Sequence, residues 1–281
     1  ALTRELAGHA QHKQLGRALE SFAQIQHEGL QPTGYTYSSL INAYINSGDL
    51  DGAEEAFIKM KQAGFAGNLI VYTTLLKGHC TEGNIATAKQ LLDEMTQLYP
   101  PVMPDTRALN TFLRGCVRAG QVTDGSRYFS LMKEWRIPQD NSTYKYVAKL
   151  LCQGLRVDEL QRMIEAREKG DSYDTTKLGV EDPLRPLCTY WARGRCERGI
   201  HCQFYHDPKY KKESTTSRDS EQQLKDVTAE LHLCLSHACA LLGRWKLCKK
   251  HVNIAEEALG KHSMGSVAAT HGEDYCANTR A

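Results

Sequence analysis

No stretch of this sequence approaches the roughly 18 consecutive apolar residues that a membrane span needs, so a soluble chain with no membrane partner is expected. Charge of one sign is missing too. The formal net charge is only +2 over 281 residues, which does not mark the whole chain as a polyanion binder, so any affinity for nucleic acid has to come from local charge. An enzyme constellation is also lacking: no Gly-rich phosphate loop follows a strand, no paired carboxylates stand out, and the histidines other than His206 are scattered. The chain is therefore not read as an enzyme, with any catalytic domain lying outside these residues. The ten cysteines do not cluster as a disulfide framework would. Cys80, Cys116 and Cys152 sit singly within apolar helical patterns, which suits a reducing compartment. The chain opens on Ala1-Leu2-Thr3-Arg4, with no initiator Met and part-way through a helical pattern, so a targeting peptide is neither supported nor opposed.

What is present is a repeat. Tyr37 recurs as Tyr72, Gly48 as Gly83, Ala53 as Ala88 and Met60 as Met95, each 35 residues on, and Ala18 and Phe22 precede Ala53 and Phe57 by the same interval. Leu109, Gly120, Phe129 and Met132 form a third copy at a spacing of 37, two residues having been added near Tyr99-Pro100-Pro101. Within a unit, Tyr37, Leu40, Ile41 and Tyr44 fall on one helical face, and Ala53, Phe57 and Met60 on another. Ser47-Gly48-Asp49 breaks the two helices apart and Gly64 closes the second, with Gly83 and Gly120 serving the same break in later units. One such hairpin cannot bury both faces alone, so the fold class expected is all-α: an α-solenoid of roughly 35-residue helical hairpins with a concave inner surface.

The strings Tyr35-Thr36-Tyr37-Ser38-Ser39-Leu40-Ile41, Ser47-Gly48, Ala56-Phe57, Met60 and Gly64 resemble the pentatricopeptide repeat. The resemblance covers a solenoid over residues 1–170: a truncated unit to Thr33, units at 34–68, 69–105 and 106–140, and a degenerate one from Asn141. A tetratricopeptide-like protein scaffold shares the Gly and Ala punctuation. The Tyr followed by a small polar residue at the helix opening, and the Asn or Asp at the unit end, favour the pentatricopeptide reading. That resemblance implies single-stranded RNA as the partner, each base read by a small polar residue in the first helix and by the last residue of the unit. The matching pairs are Ser38 with Asn68, Thr73 with Asp105 and Asn110 with Asp140, implying adenine, guanine and uracil in turn. Arg107 stands where an aliphatic residue usually wedges between bases, and an Arg plane also stacks on a base.

Beyond a linker at 171–185, Cys188, Cys196, Cys202 and His206 are spaced C-x7-C-x5-C-x3-H, a donor set that suits tetrahedral Zn²⁺. His201 is a competing ligand, and the x3 spacing favours His206. The segment 186–208 is similar to the C3H1 finger family and is expected to be a small, irregular unit that folds only around zinc. Seven Lys and Arg lie between Arg185 and Lys212, interleaved with Tyr190, Trp191, Phe204 and Tyr205, the combination that binds single strands by phosphate neutralisation and stacking. By resemblance Phe204 and Arg198 flank bases, and Tyr190 and Trp191 either join them or pack on the finger's own core. After a polar linker at 209–223, residues 224–262 resemble one tetratricopeptide hairpin, a place for a protein partner, and 263–281 read as a disordered tail.

The function these patterns imply is sequence-selective single-stranded RNA binding in RNA processing or metabolism, with the finger as an auxiliary contact. The competing readings are a protein adaptor scaffold and the RNA-targeting fragment of a larger RNA-modifying enzyme such as a tRNA methyltransferase. The repeats point to a mitochondrion or plastid, the finger to nucleus or cytoplasm.

Overall fold

The computed structural model describes residues 2–98, 101–168 and 218–259. These residues form twelve helices and no strand, an all-α array of hairpins. The contacts divide the chain into two compact units, Ala1–Ala119 and Gly120–Ala281.

In the first unit the helices are α1 (Leu2–Gln11), α2 (Leu15–His27), α3 (Gly34–Ser47), α4 (Leu50–Gln62), α5 (Leu69–Glu82), α6 (Ile85–Gln97) and α7 (Thr106–Ala119). The expected break residues sit where the repeat placed them. Gly48, Gly83 and Gly120 all take positive φ (85°, 80° and 67°), the left-handed turn that only glycine adopts at little cost, and each ends the helix before it. Odd-numbered helices stack on one another, α1 on α3, α3 on α5 and α5 on α7, while each even-numbered helix packs behind its own partner. Of the apolar faces named by periodicity, Tyr37, Leu40, Ile41, Ala53, Phe57 and Met60, then Tyr72, Ala88 and Met95, are buried, while Tyr44 is half-buried.

Two details of sequence set how closely the odd helices approach. The tenth residue of α3, α5 and α7 is small: Ala43, Gly78 and Gly115. A Cβ on Gly78 would stand 2.4 Å from Ile45 Cδ1, and one on Gly115 would stand 2.7 Å from both Cβ and Sγ of Cys80. These glycines let backbone face side chain directly. The odd helices are also capped at their starts by side chains: Thr33 accepts from the Thr36 amide at 3.3 Å, Asn68 from Val71 at 3.0 Å, Asp105 from Ala108 at 2.8 Å. Of the even helices of this unit, α2 and α6 have no such bond from Gln14 or Asn84, and α4 has one from Asp49.

The second unit comprises α8 (Val122–Glu134), α9 (Asn141–Gln153), α10 (Val157–Glu168), α11 (Arg218–Leu241) and α12 (Trp245–Leu259). The unit from Asn141, read as degenerate, is a regular hairpin, its first helix capped by Asp140 at 2.8 Å from the Thr143 amide. Its tenth residue is Leu150 rather than a small one, and Gly125 in α8 makes the room instead, a Cβ there falling 2.4 Å from Leu150 Cδ1. The expected C-terminal hairpin forms, with α11 starting at Arg218, inside the stretch read as polar linker. It does not stand apart. α11 packs on α9 and α10 as α7 packs on α5 and α6, so the hairpin takes the place of a further repeat. In sequence, residues 169–217 lie between these two hairpins.

Candidate nucleic-acid interface

Each odd helix of a repeat begins with the same polar register. Its fifth residue is Ser38, Thr73 or Asn110 in the first unit and Lys145 in the second. Residues four and eight further on share that face of a helix, which extends the row to Ser38, Asn42 and Asn46 on α3, to Thr73, Lys77 and Thr81 on α5, and to Asn110, Arg114 and Arg118 on α7. The rows lie side by side: Lys77 Nζ is 2.8 Å from Asn46 Oδ1, and Asn46 Nδ2 donates to the Ala10 carbonyl at 3.0 Å. Lys13, Asn46, Lys77, Thr81 and Glu82 line one pocket. Arg114 and Arg118 reach the same stack, because both oppose the burial that pushes the Cys80 thiol up to about 12.

Charge separates along with the helices. Over α3, α5 and α7 the ionised side chains are Lys77, Arg107, Arg114 and Arg118 against Glu82 alone, whereas α4 and α6 carry Asp51, Glu54, Glu55, Asp93 and Glu94 against Lys59, Lys61 and Lys89. The surface of α3, α5 and α7 is therefore net cationic, whereas α4 and α6 are of mixed charge with an excess of carboxylates. One of the latter carboxylates is structural: burial alone would raise Glu94, but hydrogen bonds from Lys61 Nζ (2.6 Å) and Tyr72 Oη (2.7 Å) hold it below the usual carboxylate range and tie α6 to α4 and α5.

The residues expected to read bases lie at the starts of the odd helices. Ser38 and Thr73 are half-buried, and each donates its hydroxyl hydrogen to its own helix, to Gly34 and Leu69 carbonyls at 2.7 Å, which leaves oxygen lone pairs for a partner. Asn68 and Asp105 are the caps of the next helix. The chain reaches Asn68 by crossing the first turn of α3, where Phe65 meets Tyr37 at a ring distance of 6.2 Å, so Asn68 arrives at the end of α3 that carries Ser38. Capping uses one side-chain oxygen. What the cap leaves unused is the Nδ2 donor on Asn68 and a second acceptor oxygen on Asp105. Asn110 belongs to the first unit and Asp140 to the second, each at the register of its counterparts. The second residue of each odd helix stands out into solvent: Tyr35 is 63% and Ile70 70% exposed, and Arg107 is exposed at the same position.

Sequence reading missed Lys77, Arg114 and Arg118. The signal was present, since they stand one and two turns beyond residues already singled out. Cys188, Cys196, Cys202, His206, Tyr190, Trp191, Arg198 and Phe204 lie outside the described residues. Among the described residues no cluster of His, Cys, Asp and Glu is arranged to hold a metal, the cysteines are free thiols, and no helix is long and apolar enough to cross a membrane.

Residues 20–77 match the pentatricopeptide repeat domain, 63–96 and 107–137 match single pentatricopeptide repeats, and 185–208 match the zinc finger of C-x8-C-x5-C-x3-H type and similar. A chloroplastic pentatricopeptide repeat-containing protein of Arabidopsis thaliana is 29% identical over 133 residues, covering 47% of this chain and 17% of the relative. A mitochondrial one from the same plant is 26% identical over 164 residues, covering 57% and 31%. The chain thus spans about a sixth to a third of the length of these relatives. Among solved structures, nuclear proteinaceous RNase P 2 from A. thaliana has a TM-score of 0.53 at 16% identity, over 59% of this chain and 38% of that one. The pentatricopeptide repeat protein PPR10 in complex with an 18-nucleotide psaJ RNA element has a TM-score of 0.50 at 22% identity, over 61% and 25%. Hairpins of 35 to 37 residues, their left-handed glycine breaks and these matches together identify the chain as carrying pentatricopeptide repeats followed by a zinc finger of CCCH type.

Proposed function

We propose that the chain binds single-stranded RNA in RNA processing, reading one base per repeat on its odd-numbered helices, with the zinc finger as a second contact. The observation that carries this reading is that the half-buried hydroxyl of Thr73 shares a row with Lys77 on α5, that this row adjoins the one bearing Arg114 and Arg118 on α7, and that Asn68 and Asp105 cap the starts of these two helices. A base edge needs directional donors and acceptors, and a phosphate chain needs positive charge beside them. The cap decides the chemistry at the unit end. With Oδ1 taken by the Val71 amide, Asn68 offers a donor, which suits an unprotonated ring nitrogen as in adenine. Asp105 offers only an acceptor, which suits the ring N–H of guanine. Tyr35, Ile70 and Arg107 supply the surface on which neighbouring bases separate and stack.

Cys188, Cys196, Cys202 and His206 would hold one Zn²⁺, and Tyr190, Trp191, Arg198 and Phe204 are proposed as RNA contacts of the finger. Three thiols and one imidazole fit that ion, which supplies folding and no chemistry. An organelle is the proposed location, in keeping with chloroplastic and mitochondrial relatives.

Asp105→Asn tests the code while keeping the cap. In a selection from randomised RNA run beside the wild type, preference at that one base should move from guanine to adenine, a change of about 1–3 kcal/mol taking base contacts in DNA as the scale. An unchanged preference with intact affinity defeats base reading by this unit. A second reading, the RNA-targeting part of a larger enzyme, is favoured by the likeness to an RNase P of which the chain covers 38%. RNA cleavage or modification by the full-length protein would select it.

A further inference from the structure

On α9 the same register is already occupied. Lys145 is the fifth residue and Lys149 the ninth, the places held by Thr73 and Lys77 on α5 and by Asn110 and Arg114 on α7. Glu230 of α11 spans both: its Oε2 lies 2.6 Å from Lys145 Nζ and its Oε1 lies 3.0 Å from Lys149 Nζ. The carboxylate side chain is 18% exposed, less than the 34% and 40% of the two lysines, so the anion sits in the seam and the cations at its rim. Two ammonium groups one turn apart, each on a separate oxygen of one anion, is also how a phosphodiester with two free oxygens would be held.

We propose that Glu230 is a phosphate surrogate that closes the α9 row to RNA. This rests on the RNA reading above and names the residue that withholds this helix from it. The helix bearing Glu230 is held independently of the ion pairs, since α11 packs on α9 and α10 in the position of a further repeat and buries Val227, Leu231, Leu235 and Ala238. A carboxylate presented from a docked helix of the same chain competes at the high effective concentration of an intramolecular ligand, against an RNA phosphate that must come from solution. Burial by itself would raise the Glu230 carboxyl, and the two lysine hydrogen bonds outweigh it and hold the group below the usual carboxylate range, so at neutral pH the surrogate is an anion. Lys145 also replaces the small polar residue that would read a base. This hairpin therefore has both its reading position and its phosphate position closed.

The experiment uses the full chain and a fluorescein-labelled RNA carrying adenine-guanine-uracil within a uridine tract. Affinity is measured against salt for the wild type, Glu230→Gln, Lys145→Ala/Lys149→Ala and Lys77→Ala. Each phosphate neutralised on a single strand adds about 0.7 to the slope of log affinity on log salt. Glu230→Gln should steepen the slope by about 0.7–1.4, one or two phosphates, and lengthen the ribonuclease footprint. Lys145→Ala/Lys149→Ala should leave slope and footprint as in the wild type, whereas Lys77→Ala should lower the slope by about 0.7. A silent Glu230→Gln, or a lysine double variant that loses as much as Lys77→Ala, overturns the surrogate while leaving the RNA reading in place. If Glu230→Gln loses helix content, the lysine variant alone decides. A wild type without RNA affinity removes the reading itself, and this inference with it.

Discussion

Alanine at Gly115 and at Gly78 should give different outcomes although the two glycines hold the same register on adjacent helices. In a helix interior Gly→Ala gains about 1 kcal/mol of helix propensity, and any steric cost is set against that. At Gly78 the added Cβ meets Ile45 Cδ1 at 2.4 Å and Leu50 Cδ1 at 2.9 Å, both chain ends that rotate away. At Gly115 it meets Cys80 Cβ at 2.7 Å, an atom fixed to the α5 backbone, as well as Cys80 Sγ at 2.7 Å and Ile85 Cδ1 at 3.1 Å. Here α5 and α7 have to separate. Overpacking of that kind costs about 1–3 kcal/mol, partly offset by the propensity gain, so Gly78→Ala should stay within about 1 kcal/mol of wild type and Gly115→Ala should fall below it, by up to about 2 kcal/mol. For a cooperative unit of this size each kcal/mol lost lowers Tm by about 4 °C. Urea and thermal unfolding followed by circular dichroism measure both. Equal effects at the two positions, or a Gly115→Ala variant as stable as the wild type, would refute the account of close approach.

Two further outcomes are expected. Purified protein should carry about one zinc per chain; chelation should remove it and abolish the contribution of 186–208 to RNA binding while the helical signal persists, because the helices bury their own apolar faces. Negligible metal, or helix loss throughout on chelation, defeats the finger assignment. Stability should fall on acidification through His251, which is 5% exposed and stacked on His232 with its Nδ1 2.8 Å from His232 Nδ1. Burial first, then the neighbouring His232 and Lys250, push its pKa down to about 4 against the opposing pull of Glu168 and Glu165. The folded state thus favours the neutral ring: its stabilisation is full above the ordinary pKa of about 6.5 and is lost as pH drops toward 4, on the order of 3 kcal/mol. Denaturant midpoints between pH 7.5 and 4.5 should show that slope in the wild type and a flatter one in His251→Gln; parallel profiles would exclude His251 as the cause.

The hairpins could be read from sequence because each is a local device: apolar residues at helical intervals, a glycine that tolerates positive φ, a capping side chain at the unit end. Where one of those signals changed, legibility fell. The α9–α10 turn has Leu155 rather than glycine at the left-handed position (φ 53°), and α9 has Leu150 where its predecessors have small residues, so that hairpin looked degenerate though its backbone is regular. The docking of α11 was hidden for a different reason. It depends on residues some 85 positions apart, such as Lys145 with Glu230 and Asp158 with Arg244, and no periodicity connects them. Of the proposed interface, the fifth and last residues of each unit come from family resemblance alone, while Lys77, Arg114 and Arg118 enter only because the odd helices lie side by side.

The double duty proposed for Asn68, Asp105 and Asp140, helix cap and base reader, would constrain how such a chain can change over generations. Each starts a helix, so a mutation there is first screened for folding and only then for what it does at the surface. Alanine at any of them would forfeit roughly 1 kcal/mol of capping before specificity came into question. Asparagine and aspartate pass that screen equally well and differ by a single atom group, an amide nitrogen for an oxygen. A lineage can therefore move between those two residues by single steps without an unstable intermediate, and the positions freest to vary under the folding constraint are those that invert a donor into an acceptor.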